Sequence, residues 1–133
     1  LDDENPEFWY LLGKAHSVAG EKKSAMRCFR EALKLDAYYN EVWIDFGKIV
    51  VDQNLSERAL PYLELAYRIT GDVPGINYLL SAFFLRSGNT EKSYKHLASA
   101  ISIEKEAFTD FKDLFPPELI TKKIKKLLRE NNI

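Results

Sequence analysis

Five sets of residues recur in this chain at an interval of 34. Trp9, Trp43 and Asn77 form one set, and Gly13, Gly47 and Ser81 another. Ala25, Ala59 and Ser93 follow the same interval, as do Phe29, Leu63 and Leu97, and Ala32, Ala66 and Ala100. Large apolar and small residues alternating at a fixed period of this length specify a stack of like units, not one irregular core.

Each unit reads as a pair of amphipathic helices. Asn5-Pro6-Glu7 opens the first: Asn can cap free backbone N–H groups, Pro fits the first turn, and Glu complements the dipole. Trp9, Leu12, Gly13 and His16 then fall on one helical face. Ala19-Gly20-Glu21 breaks that helix, and a second, over about 22–35, turns Ala25, Phe29, Ala32 and Leu33 inward. The second unit keeps the register with Trp43, Phe46, Gly47 and Val50. A turn at Gln53-Asn54-Leu55 follows, then a helix capped by Ser56 and bearing Ala59, Leu63, Ala66 and Tyr67. In the third unit Leu80, Ser81 and Phe84 precede a turn at Gly88-Asn89-Thr90, and Ser93, Leu97, Ala100 and Ile101 follow it. The small residues mark where the two helices of a pair approach most closely, because bulk there would force them apart.

After residue 107 the period lapses. Phe108, Phe111, Leu114 and Phe115 begin like another first helix, which Pro116-Pro117 stops. A last helix over about 117–130 carries Ile120, Ile124, Leu127 and Leu128 on one side, with Lys122, Lys123, Lys125, Lys126 and Arg129 around the rest. A repeat stack needs an end unit that covers its last apolar face, and this segment suits that task. The expected division is therefore 6–39, 40–73 and 74–107 for the three units and 108–133 for the cap. Residues 1–5 read as the tail of a preceding unit, since Leu1 and Asp2 stand 34 residues before Leu35 and Asp36. At least one further repeat is expected upstream, in a longer protein.

The pattern W-x2-L-G-x2-Y, then A-x3-F and A, resembles the tetratricopeptide repeat. The first unit reads Trp9-x2-Leu12-Gly13-x2-His16, then Ala25-x3-Phe29-x2-Ala32, and the likeness extends over about 6–107. His16, Val50 and Phe84 stand where that family favours Tyr, Asn77 replaces its Trp, and its late Pro appears as Ala37, Gly71 and Lys105. The resemblance implies an all-α fold: a right-handed superhelical solenoid of three helix hairpins plus a C-terminal capping helix. It also implies first helices lining a concave groove, and a scaffold role without catalysis.

Spacing identifies the residues of that groove. On the face away from Trp9 and Leu12 lie Tyr10, Lys14 and Ser17; the matching stripes are Ile44, Lys48 and Val51, then Tyr78, Ala82 and Leu85. A row of Tyr10, Ile44 and Tyr78 flanked by Lys14, Lys48 and Arg86 is expected to hold a peptide segment of another protein, with rings as anchors and cations for acidic groups. The competing expectation has these rings stack on the adjacent repeat. The module is then structural, associating with copies of itself or positioning another domain. The family's carboxylate clamp for chaperone C-terminal tails would fall on Tyr10, Lys14, Asp45, Gly75 and Leu79. Only Lys14 there is cationic, and Asp45 would repel a carboxylate, so chaperone tails are not expected ligands.

Charge and cysteine usage narrow the remaining classes. With 19 Lys+Arg against 20 Asp+Glu the net charge is −1, which gives no general electrostatic case for nucleic acid. From Glu118 onward five basic and two acidic side chains give +3, read here as a solvated cap surface rather than a membrane or nucleic-acid patch. A single cysteine, Cys28, excludes an internal disulfide and a cysteine-based structural zinc site. Cys28 and His96 differ by 68, two periods, and so occupy equivalent places two units apart, too distant for a thiol–imidazole pair. His16 sits at a packing position, and neither an HxxxH spacing nor a Gly-rich phosphate loop is present. No catalytic residue, cofactor or metal is expected. No apolar run approaches the roughly 18 residues that span a bilayer, and Leu1–Phe8 is acidic without the apolar core of a signal peptide.

Overall fold

Asn5 begins the stack as its position implies: its side-chain oxygen accepts a hydrogen bond from the Glu7 N–H at 2.9 Å, with Pro6 in the first turn. The computed structural model describes residues 3–53 and 56–133. Leu1, Asp2, the part of the expected turn at Asn54-Leu55 and the Ser56 side chain lie outside the described residues. The helices are α1 (Pro6–Val18), α2 (Lys22–Leu35), α3 (Asn40–Asp52), α4 (Ser56–Thr70), α5 (Pro74–Arg86) and α6 (Thr90–Glu104). First helices start at 6, 40 and 74 and second helices at 22, 56 and 90, so the 34-residue sequence interval is the spacing of the hairpins. The chain is an all-α solenoid of helix hairpins, with no strand among the described residues.

The small residues close the hairpins. A Cβ added to Gly13 would lie 2.5 Å from a ring carbon of Phe29, so α1 and α2 meet there only because the side chain is missing. In the third hairpin the equivalent places hold Ser81 and Ser93, both fully buried. Ser81 Oγ donates to the Ser93 carbonyl at 2.8 Å and Ser93 Oγ donates to the Ser81 carbonyl at 2.9 Å. Two hydroxyls thus cross the seam with their hydrogen bonds satisfied, which is what lets polar groups occupy a core position.

Beyond α6 the chain departs from expectation. At Glu104 the backbone leaves helical geometry (φ −152°, ψ 82°), and three short 3₁₀ turns follow at Lys105–Asp110, Lys112–Leu114 and Pro117–Leu119. The last helix, α7, spans Lys122–Glu130 and is shorter than the stretch over about 117–130 read from its apolar spacing. The reason is local: Ile120 is extended (φ −68°, ψ 118°), and Thr121 is the true cap, its hydroxyl accepting from the Ile124 N–H at 3.2 Å. Ile124 is fully buried, and the Lys123 ammonium lies 4.1 Å from the centre of the Tyr94 ring on α6.

Candidate protein-recognition face

The stripe along α1, α3 and α5 is not uniformly open. Tyr10 reaches across to α3, donating from its hydroxyl to Asp45 Oδ2 at 2.7 Å, with its ring 5.1 Å from that of Tyr39. Burial first, and then the Asp45 contact, push the Tyr10 phenol well above its ordinary value and keep it neutral. Lys14 and Ser17 are exposed, the Lys14 ammonium lying 5.2 Å from the Tyr10 ring centre. Ile44 is half-buried against the backbone of Gly75, where an added Cβ would fall 2.6 Å from the Ile44 Cδ1. Val51 and Leu85 are buried, and Tyr78 and Ala82 are completely so.

What covers them is the chain itself. The 3₁₀ segment after α6 turns back over α5 and reaches α3. Phe111 stacks on Tyr78 with ring centres 5.1 Å apart, and Phe108 lies 6.0 Å from the same ring. Tyr78 donates its hydroxyl to the Glu104 carbonyl at 2.7 Å, and burial, with Glu104 and Glu106 nearby, pushes its phenol up to about 12. Lys48 sits half-buried with its ammonium 4.7 Å from the Phe111 ring centre. Arg86 donates from Nε to the Leu114 carbonyl at 2.8 Å and from Nη1 to the Val51 carbonyl at 3.2 Å, joining α5, α3 and the returning segment. Tyr10, Ile44 and Tyr78 therefore lie at contacts between hairpins or with the returning segment. Lys14 and Ser17 remain exposed, and Lys48 partly so.

The open part continues into a cleft of about 280 Å³ lined by Ser17, Lys22, Lys48, Asp52, Asp110 and Asp113, with Ile49 and Leu114 at its base. Lys22 pairs with Asp52 at 3.1 Å across it. This surface mixes both signs of charge, which suits polar recognition more than apolar anchoring.

Phe108, Phe111 and Leu114 are the residues that sequence reasoning did not place on this face. The signal lay in α5. Where the first two units carry Lys14 and Lys48 the third has Ala82, and where they carry Glu7 and Glu41 it has Gly75. Ten of the 13 residues of α5 are buried. A helix apolar on all sides must be covered on all sides, and the aromatic run after α6 supplies the cover.

Several titratable groups elsewhere on the stack take part in its packing. Tyr62 donates to the Trp43 carbonyl at 2.7 Å, and one unit later His96 Nδ1 meets Asn77 Oδ1 at 3.0 Å. Asn77 also donates to Asp72 Oδ1 at 2.6 Å, so the residue in the Trp position anchors a polar chain from Asp72 to His96. Cys28, at the matching place in the first unit, is buried. His16 is half-buried, its Nδ1 3.6 Å from Glu21 Oε1. Burial, with the Lys92 charge added and Asp72 opposing, lowers the His96 imidazole below its ordinary 6.5. Its neutral form is favoured on folding, so its contribution is fully present above pH 6.5 and lost as pH falls through the lowered folded value. Thermal melts between pH 7.5 and 5 are expected to show a loss of stability that His96→Gln reduces; identical pH profiles would count against this.

Among the described residues no group of three or more His, Cys, Asp or Glu side chains could hold a metal ion. None of the described helices is long and apolar enough to cross a membrane. Residues 6–39 match the family model for the tetratricopeptide repeat. A search of curated proteins gives no match. Repeats of that family are in general protein-interaction scaffolds and are typically non-catalytic.

Proposed function

From a chain that carries the tetratricopeptide repeat, we propose a non-catalytic scaffold that holds a segment of another protein on the concave side of its first helices. In this reading the array winds right-handed and divides at 6–39, 40–73 and 74–107, with 108–133 as its cap. The observation that carries it is the cleft at Ser17 and Lys48, which stays open while much of the stripe is covered. Its ligand is a polar segment that matches the Lys48 cation and the carboxylates of Asp110 and Asp113 in turn, with Lys14 exposed on the same stripe. A chaperone tail is not the expected ligand, because the Asp45 carboxylate, which accepts from the Tyr10 hydroxyl, would repel a terminal carboxylate.

Affinity capture from the source lysate tests this with Lys14→Glu/Ser17→Trp, two exposed positions whose replacement leaves the hairpins intact. A partner held by the natural chain is expected to be weakened by about tenfold or more in the variant, with unchanged helicity. Equal capture by both would remove the inner face from consideration. The second reading, a structural module that associates with itself or positions a neighbouring domain, is favoured by the residues of α3 and α5 that already hold the chain's own segment. Sedimentation of the natural chain that shows a mass rising with concentration, and a constant mass once the end helices are substituted, supports that reading instead.

A further inference from the structure

Two clefts open on the second-helix side of the stack, and they occupy the same place in successive units. Arg30 and Glu64, Lys34 and Arg68, Phe46 and Leu80, and Tyr62 and His96 are each 34 residues apart, the first of each pair lining one cleft and the second the other. The first cleft lies between α2 and α4 over α3 and measures about 450 Å³; the second measures about 280 Å³. Sites that take a ligand run from roughly 300 to 1,000 Å³ and are mostly apolar with a few placed polar groups. The first cleft meets both conditions.

Its chemistry specifies the occupant. Trp43, Phe46 and Tyr62 form an aromatic floor, and Leu65, 41% exposed, stands on the wall as a large apolar side chain in water. The rim carries Arg30, whose guanidinium lies 5.5 Å from the Phe46 ring centre, and Lys34, which pairs with Glu31 at 3.1 Å. In the second cleft Glu64 takes the place of Arg30, so the cationic excess belongs to the first alone. The first cleft is also shallow and open to solvent, which suits a polypeptide more than an enclosed small molecule. We infer that this outer cleft is a docking site for an acidic segment of another protein that inserts a bulky apolar side chain over Trp43 and Phe46 and sets carboxylates against Arg30 and Lys34. The site is separate from the inner face and stands whether or not a ligand binds there.

The chain has two tryptophans, so in a Trp9→Phe background Trp43 becomes a reporter inside the cleft. The probes are two labelled synthetic peptides, one with a Leu-Phe pair flanked by glutamates and its twin flanked by lysines. The acidic peptide is expected to bind saturably and change the Trp43 emission, and its twin to bind far more weakly. Arg30→Glu/Lys34→Glu, at two exposed positions, is expected to weaken the acidic peptide by about tenfold or more. Leu65→Glu is expected to abolish binding with helicity retained, and Lys14→Glu to leave it unchanged. Equal binding of the twins, or none, overturns the inference, as does binding lost with Lys14→Glu but kept with Leu65→Glu. A small apolar dye that fills the cleft while neither peptide binds would also overturn it, making the cleft a small-molecule pocket.

Discussion

Tyr78→Ala is expected to destabilise the chain by about 3–5 kcal/mol, the range for deleting a wholly buried aromatic side chain. The ring is completely buried between α5 and the returning segment, stacked on Phe111. Truncation removes those contacts and leaves a cavity that the three 3₁₀ turns and α5 cannot both collapse into. The hydroxyl is a smaller part of the effect: Tyr78→Phe should cost only about 1 kcal/mol, because the Glu104 carbonyl loses one partner. Denaturant unfolding of the two variants, and of Phe111→Ala, measures the difference. The Tyr78→Ala and Phe111→Ala costs should be markedly non-additive, since the second truncation removes contacts already lost in the first. A Tyr78→Ala cost below about 1 kcal/mol would mean that the returning segment does not pack on α5 in solution.

Gly13→Val is expected to cost roughly 2–3 kcal/mol, at the upper end of overpacking. An added Cβ would stand 2.5 Å and 2.7 Å from two carbons of the Phe29 ring, which is a flat, buried plane with no flexible tip to give way. Gly13→Ala meets the same ring but gains about 1 kcal/mol of helix propensity, so its net cost should be smaller. Gly47 differs, because its nearest obstacle is the terminal methyl of Leu79, a side-chain end that can rotate aside. Phe29→Leu combined with Gly13→Val should recover part of the loss by making room. A Gly13→Val variant that melts with the natural chain would show that the Phe29 ring does not press on Gly13 in solution.

The helices were legible because the fold repeats one local solution. Gly13 with Ala25 and Ser81 with Ser93 each close a hairpin, while Gly47 makes room for Leu79 of the next unit, and the interval between these residues is the interval between the helices. The second helix read at about 22–35 is α2, Lys22–Leu35. The end of the chain was less legible, since an apolar spacing compatible with a helix also serves a 3₁₀ segment pressed on a neighbour. Phe108, Phe111 and Leu114 recur every three residues, which fits three-residue turns as well as a helical face. The inner stripe suffered from a different ambiguity: its spacing gives the side of the helix, not what lies against that side. Tyr10 and Tyr78 share a place in the repeat, yet one is tied to Asp45 and the other buried under Phe111. Asn77 in the Trp position read as a departure, whereas it is the middle of the Asp72–Asn77–His96 chain.

Arrays of like units ordinarily couple only to their immediate neighbours, so that their stability behaves as a one-dimensional sum and parts can melt one after another. The Arg86 guanidinium does not respect that order. It ties the end of α3 to the turn at Leu114 through two carbonyls, residues separated in sequence by 63 positions (114−51). The returning segment touches α6, α5 and α3 together. The second and third hairpins therefore lose the independence their repeated sequences would grant them. They are expected to unfold as one cooperative block whose assembly requires contacts far apart along the chain, and the first hairpin meets that block through α3.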